Sequence, residues 1–380
     1  MNNASALYVL NRPTVLIAGA SFAGLVSAWW MRRLGYAVTV VEVAPGVRKG
    51  GTPVDIREDV VEVMRRMGLL DHIVASSLPP RATEFLDASG EPVVRRPARA
   101  VGEDQGEAGW EIERDTLLDL LFDRVRDDVE FVFGDSVAGV EECADEVGVV
   151  FASGTRRGFS LLLGCDGTHS AVRRLCFGEE HLFSLFLQNY FSLTIVHKLL
   201  IPENTSEMFN VAGRTVMLNA YNGKTDIAFC FFSAEEIGYD RRDRAQQKQM
   251  ILERFRGQGW RVPELLDEMG RGDDFYFDKL CQIRMPQWSR GRVALVGDAG
   301  YCPSPAAGMG GSMAILGAAA FADALARYRG DLDGAFAEYD RSLRPVVNEI
   351  QSAAIEFGLK IFAPVSEEAI RQRNALLRAG

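Results

Sequence analysis

Residues 14–42 read TVLIAGASFAGLVSAWWMRRLGYAVTVVE, and this stretch decides the fold. Residues 14–18 are apolar and mostly β-branched, which predicts a short buried strand of a parallel sheet, and residues 37–42 predict a second strand. Residues 24–34 between them have the composition of a helix. Strand, helix and strand in this order form a βαβ unit, so the sequence predicts an α/β fold.

A glycine turn joins the first strand to the helix. Gly19 and Gly24 match the outer glycines of the pattern G-x-G-x-x-G, and Ser21 replaces the middle one. The first glycine allows a tight turn, the middle position lets a pyrophosphate approach the backbone, and the last lets helix and strand pack closely. Glu42 ends the second strand, where an acid can bind the ribose hydroxyls of a nucleotide without a 2′-phosphate. This context favours a bound dinucleotide over the alternative, a tight βα turn without a ligand.

Two further turns follow apolar strands. Asp166 and Gly167 end a strand in LLLGCDG, and Asp298 ends another in RVALVGD. Taken alone, Asp166 could belong to a plain turn and Asp298 could cap a helix. The prolines and glycines after Asp298 are poor helix formers, which weakens the capping interpretation. The sequence holds no second glycine pattern, which indicates a single dinucleotide site.

Segments of the parallel type occur at both ends of the chain, and the middle differs from them. A hairpin pattern at 85–94 and repeated alternation over 183–233 predict antiparallel strands. The sequence therefore predicts a Rossmann-like α/β domain interrupted by an antiparallel β-sheet domain. The predicted ranges are 1–76, 101–178 and 277–330 for the α/β domain, 77–100 and 179–276 for the sheet domain, and 331–380 for C-terminal helices.

The composition argues against several classes of ligand and partner. The 380 residues carry a formal net charge of -10 and no basic block, so no nucleic-acid partner is expected. The six cysteines form no C-x-x-C pair and no metal-ligand spacing with the four histidines, so we expect free thiols and no metal site. Residues 13–31 are uncharged, but Gly19 and Gly24 interrupt them, which disfavours a membrane span. The first residues lack a signal-peptide pattern, and we expect a cytoplasmic monomer with no membrane partner.

The three turns occur in the order found in FAD-dependent monooxygenases of the para-hydroxybenzoate hydroxylase type, and the chain resembles this family from residue 14 to about 325. The segments RKGGTPVDIR (48–57) and GDAGYCPSP (297–305) resemble those of the tetracycline destructases, the flavin monooxygenases that inactivate tetracyclines. The resemblance implies an FAD-binding α/β domain, an inserted β-sheet substrate domain and a C-terminal helix that bridges the two.

The resemblance also implies roles for particular residues. The glycine turn would lie under the pyrophosphate of FAD, Glu42 would bind the adenosine ribose, and Asp298 would accept a hydrogen bond from the ribityl chain. The Asp166 turn would serve FAD and, transiently, NADPH. The expected cofactor contacts are Gly19, Ser21, Gly24, Glu42, Arg48, Asp55, Arg114, Asp166, Asp298, Pro305, Gly308, Gly310, Gly311 and Ser312. Many relatives have His where Tyr301 stands and Asn where Ser312 stands, so this chain departs from the family pattern at these two positions.

The implied reaction leaves the chemistry to the cofactor, so no side chain is expected to be catalytic. NADPH would reduce FAD, and the reduced flavin and O₂ would deliver one oxygen atom to a polycyclic phenol or enol, with tetracycline the leading candidate. The alternatives are an aromatic hydroxylase of secondary metabolism or catabolism, and a flavin-binding protein without activity. The histidines show no catalytic spacing and are expected to be structural or exposed. The predicted pocket residues are Met217, Asn219, Phe229 and Phe231, with packing in the core as the alternative.

Overall fold

The computed structural model describes residues 12–99, 101, 109–143 and 145–379. The parts of the predicted domain ranges that fall on residues 1–11, 100, 102–108, 144 and 380 lie outside the described residues. Most of the N-terminal segment that lacks a signal-peptide pattern lies outside them as well.

The described strands and helices follow the order expected from the sequence. The strands are β1 (Thr14–Ala18), β2 (Ala37–Glu42), β3 (Val54–Ile56), β4 (Ala82–Leu86), β5 (Pro92–Arg96), β6 (Trp110–Ile112), β7 (Glu130–Phe133), β8 (Val137–Glu142), β9 (Val147–Phe151), β10 (Arg156–Phe159), β11 (Leu161–Gly164), β12 (Ser184–Val196), β13 (Thr205–Val211), β14 (Arg214–Tyr221), β15 (Lys224–Phe232), β16 (Phe275–Ile283), β17 (Ser289–Arg290) and β18 (Val293–Leu295). The helices are α1 (Phe22–Arg33), α2 (Asp59–Arg66), α3 (Leu70–Ala75), α4 (Arg114–Asp123), α5 (Ala171–Cys176), α6 (Arg244–Phe255), α7 (Val262–Arg271), α8 (Asp298–Tyr301), α9 (Gly310–Tyr328), α10 (Leu332–Ala353), α11 (Leu359–Phe362) and α12 (Glu367–Ala379). Short 3₁₀ turns cover Glu180–Leu182 and Pro305–Ala307, and Ala354–Gly358 is π-helical.

A six-stranded sheet with the order β17-β18-β11-β1-β2-β7 forms the Rossmann-like domain. β1 pairs in parallel with β2 and β11, and β11 pairs in parallel with β18. Strands from the beginning, the middle and the end of the chain therefore share one sheet, which confirms the interrupted α/β domain. The interior of β1 is fully buried, as expected for a strand of a parallel sheet that is covered on both faces.

A seven-stranded sheet with the order β16-β12-β15-β14-β13-β4-β5 forms the sheet domain. Its neighbours run antiparallel except β13 and β4, which run parallel. β16 pairs with β12, so the predicted boundary at residue 277 is wrong because it falls inside a strand of this sheet. The sheet domain continues through Ile283. The partner strand β12 lies far away in the sequence, and the local pattern around residue 277 does not reveal it.

The two faces of the seven-stranded sheet have different neighbours. On the outer face, α6 and α7 cover an apolar cluster that contains Val216, Phe229 and Phe231. The inner face meets the Rossmann-like domain and the C-terminal helices, because Phe191 of this face, Ala306 and Phe362 all pack against one apolar cluster. Side chains alternate between the two faces along each strand, so strand register decides which residues can reach a site between the domains.

The C-terminal helices bridge the two domains, as the sequence predicts. α10 packs along α9, and its Tyr339 hydroxyl donates to the carbonyl oxygen of Leu295 at 3.0 Å in the six-stranded sheet. α12 lies against the other domain. Its Arg373 is buried, and Nη1 donates to Oδ1 of Asn210 on β13 at 2.6 Å.

The described part of the chain lacks two features, a membrane-spanning helix and a metal-binding cluster. None of its helices is both long enough and apolar enough to cross a lipid bilayer. Its His, Cys, Asp and Glu side chains form no group of three that could hold a metal ion.

Candidate active site

The glycine turn between β1 and α1 is packed so tightly that two positions exclude a side chain. Gly19 has a φ of 103°, and a Cβ there would lie 2.4 Å from the carbonyl oxygen of Cys165. A Cβ on Gly24 would lie 1.8 Å from the carbonyl oxygen of Gly19. Ser21 precedes α1, and its hydroxyl does not cap the helix. The first amides of α1 thus receive no side-chain cap, and an uncapped helix N-terminus attracts an anion.

Glu42 closes over the same turn from the end of β2. Its carboxylate oxygens accept hydrogen bonds from the amides of Ala20 and Ala44, each at 2.9 Å. A carboxylate offers about four lone-pair directions, so it can accept further donors such as ribose hydroxyls. The ribose contact of Glu42 stays a prediction, and the carboxylate lies at the end of the strand where such a contact is made.

Arg114 connects the glycine turn to the segment 48–57. Its guanidinium donates to Oγ of Ser21 at 3.1 Å and to the carbonyl oxygens of Gly50 at 2.7 Å and Arg48 at 3.3 Å. Burial lowers the pKa of Arg114, and the carboxylates of Asp115 and Asp298 oppose that effect. Four predicted cofactor positions, namely Ser21, Arg48, Arg114 and Asp298, therefore come together although they are far apart in the sequence.

Asp298 follows β18 and is the first residue of α8, whose N-cap is Gly297. The interpretation of Asp298 as a helix cap therefore does not hold. Its Oδ1 is buried and has no donor among the described residues. Burial raises the pKa of Asp298 to about 6, opposed by the Cys302 thiol and by Arg114. A buried acceptor without a donor is costly, and a ligand hydroxyl at this position would satisfy it.

The carboxylate of Asp166 accepts hydrogen bonds from residues that follow it in the same turn. Its carboxylate accepts from the hydroxyl of Ser170 and from the amide of Val172, at the start of α5. This arrangement supports the plain structural turn that the sequence left open for Asp166. Arg173, which is fully buried, donates to the carbonyl oxygens of Thr168 at 2.6 Å and Ala299 at 2.9 Å. The Asp166 turn is thus held against the residue that follows Asp298.

The cofactor loop, residues 303–312, brings together the remaining predicted contacts. Gly308 has a φ of 64°, and a Cβ on Gly308 or Gly310 would meet no described atom within 4 Å. Gly311 packs against β3, where an added Cβ would lie 3.3 Å from Val54. The hydroxyl of Ser312 donates to the carbonyl oxygen of Asp55 at 3.3 Å. The segment 48–57 therefore lies directly against this loop, and the backbone of the loop borders open space at Gly308 and Gly310.

The predicted pocket residues separate onto the two faces of the seven-stranded sheet. Met217 and Asn219 lie on the inner face, where Met217 borders a cluster with Phe85 and Met208. Phe229 and Phe231 lie on the outer face and belong to the core under α6 and α7. Their prediction as pocket residues is wrong, because alternation places them opposite Met217. Core packing is the alternative that holds for these two.

A cavity of about 720 Å³ lies elsewhere, and Arg12, Tyr36 and Arg157 are among its lining residues. It opens at the amino-terminal ends of β1 and β2, whereas the glycine turn follows the carboxyl end of β1. Ligands of α/β sheets bind outside the carboxyl ends of the strands. The arrangement around Asp298, and not this cavity, is therefore the candidate active site.

Comparison with protein families identifies the family of the chain. The profile of the FAD binding domain family matches residues 12–354. The chain belongs to this family. A relative that is 32% identical over 90% of the chain is a flavin-dependent monooxygenase, and so is this chain.

Similar proteins support the assignment of the monooxygenase to this family. Uncharacterized protein Rv1260 of Mycobacterium tuberculosis is 36% identical over 89% of the chain and 91% of its own length. A flavin-dependent monooxygenase of Legionella longbeachae is 32% identical over 90% of the chain and 87% of its own length. The crystal structure of tetracycline destructase Tet(51) superposes with a TM-score of 0.84, at 29% identity, over 97% of the chain and 96% of that structure.

The described residues of the monooxygenase fit FAD. The uncapped N-terminus of α1 can hold a pyrophosphate, and the turn around Gly19 leaves no side chain in its way. The buried Oδ1 of Asp298 needs a donor, which the polyol of FAD has. The open space beside Gly308 and Gly310 leaves the backbone of the cofactor loop free to contact a planar ring.

Two polar clusters of the monooxygenase were not foreseen from the sequence. On the inner face, the hydroxyl of Tyr221 donates to Oδ1 of Asp226 at 2.9 Å, and Oδ2 of Asp226 is buried without a donor in the described chain. Burial raises the pKa of Asp226 to about 7. An acid between two β-branched or apolar residues, as in KTDIAF, is the sequence signal that could have indicated this position.

The second cluster surrounds His169, between the two domains of the monooxygenase. Its Nδ1 lies 2.8 Å from Oε2 of Glu180, and its Nε2 lies 2.7 Å from Oδ2 of Asp278 on β16. Burial alone would lower the pKa of His169, but the hydrogen bonds to Asp278 and Glu180 outweigh it and raise the pKa. An imidazolium donates from both nitrogens, so the protonated form suits this position. The cluster gives His169 a structural role, consistent with the sequence expectation.

Proposed function

We propose that the chain is an NADPH- and O₂-dependent FAD monooxygenase that hydroxylates a polycyclic phenolic or enolic small molecule, with tetracyclines as the leading candidate. The observation that carries the proposal is the unpaired buried acceptor of Asp298 beside the glycine turn and the cofactor loop. The likeness to tetracycline destructase Tet(51) over 97% of the chain supports the choice of substrate.

We infer the following roles for the predicted cofactor contacts. The turn of Gly19, Ser21 and Gly24 binds the pyrophosphate, with Arg114 orienting the hydroxyl of Ser21. Glu42 accepts hydrogen bonds from the adenosine ribose, and Asp298 accepts one from the ribityl chain. The remaining contacts border the isoalloxazine or cover it, and these are Arg48, Asp55, Pro305, Gly308, Gly310, Gly311 and Ser312. Asp166 supports the site through its turn.

The cofactor, when bound, supplies the redox chemistry by accepting a hydride from NADPH and using O₂ to deliver one oxygen atom to the substrate. The protein then has to hold the substrate and keep water away from the reacting atoms. The cofactor loop carries no charged residue between Pro303 and Ser312. On the inner face of the sheet, Phe191 packs against the same apolar cluster as Ala306 of that loop and gives the site an apolar wall.

We propose that the substrate lies between the cofactor loop and the inner face of the seven-stranded sheet. Met217 offers an apolar contact, and Asn219 offers an amide that can donate to or accept from a ring oxygen. We also propose that the sheet domain comprises 77–100 and 179–283 and that the enzyme acts as a monomer in the cytoplasm.

The proposal is tested on the purified chain. Flavin absorbance is recorded after reconstitution with FAD, and NADPH oxidation is followed with tetracycline, with simple phenols and without substrate. We expect bound flavin, faster NADPH oxidation with tetracycline, and a product that has gained one oxygen atom. Stimulation by simple phenols but not by tetracycline would instead indicate an aromatic hydroxylase of catabolism or secondary metabolism. Bound flavin without substrate-dependent oxidation would leave a flavin-binding protein, and failure to bind FAD would reject the enzyme altogether.

A further inference from the structure

The C-terminal helices touch the cofactor loop at a position that only glycine can occupy. A Cβ on Gly358 would lie 2.1 Å from the carbonyl oxygen of Ala306 and 3.1 Å from its carbonyl carbon. Separations under 3.0 Å are essentially never seen for a Cβ. Gly358 has helical dihedral angles, with φ of -54° and ψ of -54°. Position 358 therefore requires glycine because the loop approaches so closely, and not because of its backbone conformation.

A local change of helix type produces this contact. The residues from Ala354 to Gly358 are π-helical, between the α-helical residues of α10 and α11. Such a π segment is a wider turn inserted in an α-helix, and π turns are frequently found at functional sites. Here the inserted turn directs the backbone of Gly358 onto the 3₁₀ turn Pro305–Ala307.

A buried amide holds the start of the same loop from the same side. The side chain of Gln351 on α10 donates to the carbonyl oxygens of Ile283 at 2.9 Å and Cys302 at 3.2 Å. Gln282 on β16 donates to the carbonyl oxygen of Gln351 at 2.7 Å and to that of Pro303 at 3.3 Å. Both glutamines are buried, so neither can exchange these bonds for bonds to water.

The loop that these residues hold has an unfavourable backbone conformation. Ser304 has a φ of 80° and a ψ of 148°, a region that is populated almost only by glycine. Ser304 is buried, and its hydroxyl accepts from the amide of Ala306 at 3.3 Å. A strained residue persists only when its surroundings fix it. On one side the loop meets Gly358, and at Gly308 it borders open space.

We propose that Gln351 and Gly358 are positioning residues, and that the C-terminal segment 351–358 sets the place of the cofactor loop relative to the flavin. The proposal rests on the proposed FAD site beside Pro305 and Gly308. The carbonyl of Ala306 contacts the helix, so the loop cannot withdraw from the ring in that direction. Any side chain at position 358 requires the helix and the loop to separate by about 1 Å, and close packing transmits this displacement to the cofactor side of the loop.

Gly358→Ala tests the proposal, with Gly270→Ala as its matched control. Gly270 also lies in a helix, α7, and a Cβ there would meet no described atom within 4 Å. Each variant is compared with the parent chain for denaturant unfolding, for FAD dissociation constant by flavin fluorescence, for flavin absorption maxima, and for peroxide released per NADPH oxidised. We expect Gly358→Ala to weaken FAD binding about tenfold. We also expect shifted absorption maxima and a larger share of NADPH oxidation ending in peroxide, while Gly270→Ala keeps the parent's FAD dissociation constant, absorption maxima and peroxide yield.

A second variant keeps the test decisive if Gly358→Ala does not fold. Gln351→Met has a similar length and removes both donors, and it is expected to move the same flavin signals in the same direction. A folded Gly358→Ala or Gln351→Met with the parent's FAD dissociation constant and absorption maxima would overturn the positioning role. A parent chain that binds no FAD would instead reject the proposed function, so the two failures are distinguishable.

Discussion

The hydroxyl of Tyr221 donates a hydrogen bond of 2.9 Å to Oδ1 of Asp226, and both side chains are buried on the inner face of the sheet. The other oxygen, Oδ2, has no donor in the described chain, although Arg81 and Lys224 lie close enough to influence the carboxyl. Burial therefore dominates, and it raises the pKa of Asp226 from 3.8 to about 7. Folding thus favours the protonated acid.

This pair predicts that the contribution of Asp226 to stability is lost as the pH rises from about 4 to about 7. In that window the folded chain holds the proton of Asp226 and the unfolded chain has released it, so the free energy of unfolding falls with pH. The difference between 3.8 and about 7 corresponds to roughly 4 kcal/mol. Asp226→Asn has no proton to lose and still accepts from Tyr221. We expect it to match the parent near pH 4 and to exceed the stability of the parent at pH 8.

Urea unfolding at pH 4 and pH 8 measures this difference. The control is Asp127→Asn, since the side chain of Asp127 is 86% exposed. It should leave the pH dependence of the parent unchanged. Equal pH dependence in Asp226→Asn and Asp127→Asn would show that Asp226 is ionised at little cost in the folded chain.

The unpaired acceptor of Asp298 predicts a specific loss of cofactor. Asp298→Ala removes the buried oxygen that a flavin hydroxyl would satisfy, and a hydrogen bond to a charged group contributes about 1.5–3 kcal/mol, so FAD should bind about 10- to 100-fold more weakly. Asp298→Asn keeps an acceptor oxygen and should lose less. Titration with FAD, followed by flavin fluorescence, measures both dissociation constants. Full flavin occupancy in a folded Asp298→Ala would contradict the assigned role.

Local sequence patterns predicted the strands, the helices and the glycine turn. Periodicity and tight turns depend on residues that are neighbours in the sequence. The contact of Arg114 with Ser21 spans 93 positions, and no local pattern reports such a pairing. The same limit applies to Gly358, whose need for glycine comes from Ala306 and not from its own backbone. For Phe229, alternation indicated two faces of a strand but not which face α6 and α7 would cover.

Phe229 and Asn219 lie on opposite faces of the seven-stranded sheet. Substitution of Phe229 should therefore change stability, and substitution of Asn219 should change substrate binding. Phe229 is fully buried in the outer cluster, so Phe229→Leu should lower the free energy of unfolding by about 1 to 3 kcal/mol and leave the KM for tetracycline unchanged. Asn219→Ala should change stability little and raise the KM for tetracycline about 3- to 10-fold through a lost hydrogen bond. Urea unfolding and initial rates of NADPH oxidation measure the two effects. A KM change in Phe229→Leu larger than that in Asn219→Ala would reverse the assignment.

The close approach at the glycine turn predicts that Gly24→Ala cannot be tolerated. The added Cβ would lie 1.8 Å from the carbonyl oxygen of Gly19, and backbone cannot rotate away as a flexible side chain can. The turn must open, so the free energy of unfolding should fall by about 3 kcal/mol and FAD should not be retained. Gly46→Ala is the control, because a Cβ there would meet no described atom within 4 Å. Urea unfolding and flavin absorbance after gel filtration compare the two variants, and equal stability with equal flavin content would show that α1 does not need its close packing on the turn.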